Sequence, residues 1–161
     1  MGKGESHVKY STNEMSKSFR SIKETIRLHA SKKESAVNKS IEGITDDMKN
    51  NQENLALIKA EALINNERTI ETYQVLVVLC ERVLEKVHTM EKFKEPLADL
   101  ESTFASLIYS SDKTEITDLV KIKHFIEDRY GKKYVQKLEK DFALVNDTIR
   151  EKILLFTPKI A

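Results

Sequence analysis

No proline or glycine occurs between Ile44 and Glu95. That run contains IKAEALINNERTIETYQVLVVLCERVLEK, Ile58 to Lys86, dense in the strong helix formers Ala, Leu, Glu and Lys. A helix filling the gap would be roughly 75 Å long at 1.5 Å per residue. A chain of 161 residues makes one domain, and a compact domain of that size has no use for so long a helix. The fold must be elongated, and the helix must serve something beyond its own core.

The rest of the chain agrees with an all-α class. Four Gly, two Pro and no Trp are too few for the turns of a β-rich fold. The breakers divide the sequence. Gly43 separates two periodic segments and is followed by Thr45-Asp46-Asp47, a capping residue with acids for a first helical turn. The pattern predicts a helix over residues 12–42, a tight turn at Gly43, and a helix over 46–94 that Pro96 ends. Shorter helices are predicted over 97–109, over 115–130 with Asp112 or Thr114 as cap and Gly131 as stop, and over 144–156. Residues 132–140 read as weakly helical, and residues 1–11 as a flexible leader ahead of a single domain over 12–161.

Met15, Phe19, Ile22, Ile26, Val37 and Ile41 fall near one face of the first long helix at 100° per residue, interrupted by Lys33. On the second, Met48, Leu55, Ile58 and Ala62 form a thin stripe, which thickens from Ile70 through Tyr73, Leu76, Val77, Cys80, Val83, Leu84 and Val87. Two such helices pair as an antiparallel hairpin, poor in apolar residues at its tip and rich at its base. Three or four shorter helices, roughly 20 Å each, cover only the base.

Charge and chemistry exclude several function classes. Net charge is +1, so no global basic field draws nucleic acid. Residues 1–42 are distinct, with nine Lys/Arg against five Glu. The lone Cys80 lies in an apolar run, which excludes a disulfide framework and points to a reducing compartment. The longest apolar run, Val75 to Cys80, is too short to span a bilayer. His124 with Glu127 or Asp128 has metal-ligand spacing but lacks a second cluster. No phosphate-binding loop, nucleophile elbow, zinc signature or paired-cysteine motif occurs, so neither cofactor nor catalytic residue is assigned.

What remains is electrostatic. Lys17, Arg20, Lys23 and Arg27, with Lys32 beyond them, cluster beside the apolar stripe of the first helix. Such a face suits an anionic membrane or an acidic partner helix, at about 1 kcal/mol per cation near lipid. It also suits plain solvation, with Glu14 and Glu24 compensating. Met1-Gly2-Lys3-Gly4-Glu5-Ser6 matches the myristoylation pattern, which makes Gly2 a candidate acylation site. An acyl chain followed by a basic patch is the combination that anchors stably.

Glu61-Ala62-Leu63-Ile64, Glu71, Val75-Leu76 and Leu79-Cys80-Glu81-Arg82-Val83-Leu84 resemble the increased-sodium-tolerance family of ESCRT-III proteins. The order continues with Ser106-Leu107-Ile108-Tyr109, Asp118-Leu119-Val120-Lys121-Ile122, Arg129-Tyr130-Gly131-Lys132-Lys133-Tyr134, Val145-Asn146 and Thr157-Pro158-Lys159. No single motif is specific; the collinear series over residues 15–160 carries the likeness. The sequence departs from the family pattern at Val77-Val78-Leu79-Cys80 and at Thr157.

The resemblance implies an ESCRT-III-like core, co-assembly with other ESCRT-III subunits on endosomal membranes, and modulation of the vacuolar-protein-sorting AAA ATPase from the cytoplasmic side. The family's further helix and its tail for MIT domains have no counterpart before Ala161, so contact with the ATPase is expected to be indirect. The resemblance also implies a groove for a partner's C-terminal helix. Tyr130, Tyr134 and Phe142 are candidates for it because aromatics are favoured anchors, although each also suits a core. The competing reading is a soluble helical adaptor that binds a partner helix without touching membrane.

Overall fold

The computed structural model describes residues 11–154. Among them are six α-helices and no strand: α1 (Thr12–Lys49), α2 (Glu53–Lys92), α3 (Glu101–Ser111), α4 (Leu119–Tyr130), α5 (Lys132–Lys140) and α6 (Asp147–Leu154). Short 3-10 turns at Ala98–Leu100 and Phe142–Leu144 lead into the chain's next elements. The leader with Gly2 and the ending Thr157-Pro158-Lys159 lie outside the described residues. Ser11, expected in the leader, is instead the N-cap of α1, and its side chain accepts from the Glu14 amide.

α1 and α2 form the long antiparallel hairpin, but it does not turn at Gly43. α1 runs through Gly43 and ends at Lys49; the chain reverses through Asn50 and Asn51. Asn51 takes the left-handed conformation (φ 58°) that Asn tolerates better than most residues. A glycine inside a helix costs only about 1 kcal/mol, which a long pairing with α2 outweighs. Gly43 lies beside the end of the Lys59 side chain. A Cβ there would lie 3.2 Å from Nζ of Lys59, whose ammonium crosses the hairpin to Asp47 at 2.8 Å.

The hairpin base carries the core. Met15, Phe19, Ile22 and Ile26 of α1 meet Tyr73, Leu76, Cys80, Val83, Val87 and Met90 of α2, all buried. α3 lies innermost of the short helices, burying Phe104, Leu107 and Ile108. Its serines tie down the segment entering α6: Ser102 Oγ donates to Leu144 O (2.6 Å), and Ser106 Oγ accepts from the Asn146 amide (2.8 Å). α5, weak by sequence, is a full helix because Val135 and Leu138 are buried beneath it. Arg129 of α4 donates to the Met90 and Phe93 carbonyls (2.9 Å each), completing the C-terminus of α2.

Two expectations need correction. Ile41, Met48, Leu55 and Ile58 were expected in the seam between the helices, yet all are exposed. At the tip only small or short contacts such as Val37 and Ala56 are buried. Second, α4 begins at Leu119, not at Glu115. Glu115 stays in the preceding loop and reaches back to the hairpin: its Oε1 is 3.5 Å from His29 Nδ1, 3.5 Å from Lys33 Nζ and 3.4 Å from the Tyr73 hydroxyl. Lys33, which breaks the apolar stripe, is therefore a latch for the short-helix layer. Partial burial opposes the charge on Glu115, but Lys33 and His29 outweigh it and hold the carboxyl below the usual Glu range.

The two findings give opposite mutational signatures. Gly43→Ala should stabilise the fold by about 0.5–1 kcal/mol in urea unfolding, because it improves a helix interior and displaces only a lysine tip. A turn at Gly43 would give the reverse sign. Asn51→Val should cost about 1–2 kcal/mol through its positive φ. Glu115→Gln should cost about 0.2–1 kcal/mol at neutral pH, the scale of an exposed pair. A carboxyl with a lowered folded-state pKa contributes stability above its unfolded value, about 4.3, and loses it as pH falls through the folded value. The urea midpoints of wild type and Glu115→Gln should therefore converge on acidification below pH 4.

Candidate assembly surfaces

The basic side of α1 is real but only partly free. Lys23 and Arg27 both reach Glu81 of α2 (3.7 and 3.3 Å), and Arg27 also pairs with Glu24 at 2.8 Å. These two cations help hold the hairpin together. Lys17, Arg20 and Lys32 are exposed and make no ion pair among the described residues. They surround the exposed Leu28 within about 120° of arc at 100° per residue. The surface that can attract an anion is thus displaced from the hairpin seam toward the outer face of α1. Glu81 was the missed partner: the register that places it beside Lys23 is set by the hairpin, not by local sequence.

The three aromatic candidates do not form one groove. Tyr130 and Tyr134 stack edge-on across the α4–α5 junction, with ring centroids 5.5 Å apart, and Tyr130 also meets Phe104 at 6.1 Å. Both pack against the core. Burial pushes the Tyr134 hydroxyl up to about 12 and raises that of Tyr130. Phe142 lies elsewhere, exposed, against Tyr109 (5.5 Å) and below Arg150 (5.5 Å). It lines a groove of about 410 Å³ with Tyr109, Val120 and Leu138. The 3-10 turn at Phe142–Leu144 separates the two sites and is not legible in the sequence, whereas Gly131 (φ 94°), expected as the stop of α4, makes the turn across which Tyr130 and Tyr134 meet.

A second, open groove runs between α2 and the entry to α6. Its volume is about 430 Å³ over a floor of Val75, Val78 and Leu79, with Asn146 and Thr148 on its far wall. Val78 is 52% exposed, although Leu76, Leu79 and Cys80 around it are buried. Glu71 and Arg82 mark its ends, about 16 Å apart along the helix at 1.5 Å per residue. Glu71 is paired with Lys152 of α6 (3.3 Å). Arg82 is exposed and makes no ion pair among the described residues. An apolar floor with an unpaired cation at one end fits an amphipathic helix carrying an acid.

Burial pushes the Cys80 thiol up to about 12, the opposite of an activated nucleophile. His124 contacts Glu127 at 3.5 Å, and no group of three or more His, Cys, Asp or Glu that could hold a metal occurs among the described residues. No helix among them is long and apolar enough to cross a membrane.

Comparison with known proteins converges on one family. The crystal structure of the Ist1 N-terminal domain of S. cerevisiae, solved in complex with the MIM motif of Did2, superposes with a TM-score of 0.83. The match covers 94% of this chain and 86% of that one at 19% identity, which establishes the fold. An IST1-like protein of Dictyostelium discoideum is 27% identical over 107 residues, 66% of this chain. The match spans only 29% of that relative's length. The family model described as Ist1, regulator of Vps4 activity in the MVB pathway, matches residues 17–161, which take in the hairpin, the short helices and the α2–α6 groove. The chain belongs to the Ist1 family.

Proposed function

We propose that this domain co-assembles with other ESCRT-III subunits on endosomal membranes and thereby modulates the Vps4 ATPase that remodels them. The single observation that carries the reading is the α2–α6 groove, on a fold whose yeast relative was solved with a partner's MIM motif. A helix of two to three turns fills the span from Glu71 to Arg82. Val75, Val78 and Leu79 take its apolar face, and Arg82 takes an acid. Binding a partner subunit's helix gives the domain a way to tie that subunit to the assembly without any chemistry of its own.

The second component is electrostatic. Lys17, Arg20 and Lys32 form the surface for an anionic lipid headgroup or an acidic partner, with Lys23 and Arg27 partly spent on Glu81. Gly2, if acylated, would add an apolar anchor just ahead of this face. A helical adaptor that never meets membrane would use the groove alone.

Two measurements separate these readings. Binding of a labelled C-terminal helix from a partner subunit, followed by anisotropy, should weaken at least about tenfold in Val78→Asp, equivalent to about 1.4 kcal/mol; unchanged affinity would move the partner site elsewhere. Co-sedimentation with anionic vesicles at low salt should be lost in K17E/R20E/K32E and reduced less in K23E/R27E. Wild type that stays in the supernatant at low salt would favour the adaptor.

A further inference from the structure

The hairpin tip presents a second surface that the groove and the basic face do not use. Glu53, Leu57, Glu61 and Ile64 of α2 follow one another at helical spacings of four, four and three, and so fall within about 80° of arc. All four are exposed; Leu57 is 62% and Ile64 49% accessible. Glu53 and Glu61 make no ion pair among the described residues. The same end of α2 also exposes Leu55 and Ile58, so the aliphatic surface of the tip is clustered rather than scattered singly. Residues 34–68 as a whole carry seven Asp/Glu against four Lys/Arg, whereas residues 12–33 carry two against six. The tip therefore repels an anionic membrane and attracts a basic surface.

The chain itself supplies the complement. Lys17, Arg20 and Lys32 around Leu28 reproduce the tip pattern with the sign reversed: an aliphatic centre (55% exposed) flanked by unpaired cations, with Glu24 in the same arc neutralised by Arg27. The two patches cannot meet within one molecule. They lie on different helices of a hairpin whose register is fixed by Lys59–Asp47 and Arg27–Glu81. From Leu28 to Asp47, which lies level with Lys59, α1 extends roughly 28 Å. Only a second copy can bring them together.

We infer that the acidic tip stripe Glu53-Leu57-Glu61-Ile64 of one molecule docks on the basic outer face of α1, at Arg20, Leu28 and Lys32, of the next. This rests on the assembly reading above and names the acidic partner of the basic face. The contact joins unlike patches, so it is heterologous. It leaves one free patch at each end and propagates as a filament unless the rotation closes a ring.

Sedimentation velocity of the full chain, with low and high salt compared, tests it. Wild type should show an average mass that rises with concentration at low salt. It should return to monomer near 1 M, where screening acts over roughly 3 Å. E53K/E61K alone and R20E/K32E alone should each remain monomeric at low salt, while L57S/I64S should weaken association without altering charge. Mixing E53K/E61K with R20E/K32E in equal amounts should restore association, because every tip then finds a base of opposite sign. A chain carrying both sets should also associate.

Circular dichroism on each variant checks that these exposed substitutions leave the helices intact. Wild type monomeric at high concentration and low salt, or a mixture that stays monomeric, overturns the inference. Vesicle binding distinguishes its failure from that of the membrane reading. E53K/E61K should lose self-association while still co-sedimenting with anionic vesicles. Wild type that binds vesicles but never self-associates would assign the basic face to lipid alone.

Discussion

Everything in this fold depends on a mismatch of length. α1 and α2, with 38 and 40 residues, make a hairpin of roughly 55–60 Å at 1.5 Å per residue. The helices that follow have 11, 12, 9 and 8 residues and can clothe only one end of it. Where they do, Phe19, Ile26, Tyr73, Leu76 and Cys80 are sealed beneath them. Where they do not, the two helices hold each other through narrow contacts at Val37 and Ala56 and the bridge from Lys59 to Asp47. The covered end supplies stability, and the bare end supplies surface.

The covered end is locked by polar contacts at its margins rather than by further apolar burial. Glu115 collects His29, Lys33 and Tyr73 from both arms of the hairpin. Arg129 closes the last turn of α2, and the serines of α3 anchor the segment that begins α6. Each of these spans elements far apart in sequence. The groove between α2 and α6 sits at the edge of the short-helix layer.

Electrostatics divide the same rod lengthwise. Cations gather on the base of α1, acids at the tip, and the pairs that Lys23 and Arg27 make with Glu81 consume part of the positive set in holding the arms together. A molecule polarised in this way has a direction. Directionality is what separates contacts that propagate from contacts that close a pair.

The sequence by itself determined the helical class, the long hairpin, the rich base and thin tip, and the family likeness. The class, the hairpin and the uneven seam follow from local propensity and from 3.6-residue periodicity, both of which are written into neighbouring residues, and the likeness follows from the collinear series of short motifs. It misplaced the turn, because an interior glycine and a turn glycine look alike until the opposite arm is present; the pairing with α2 carried α1 past Gly43 to Asn51. It grouped Tyr130, Tyr134 and Phe142 by residue type, whereas the turns between α4, α5 and α6 send them to different surfaces. It counted Lys23 and Arg27 as free cations and assigned no role to Glu115, because their partners lie across the hairpin. Only the tertiary structure decided those points, since register and contact between distant elements depend on how the whole chain packs.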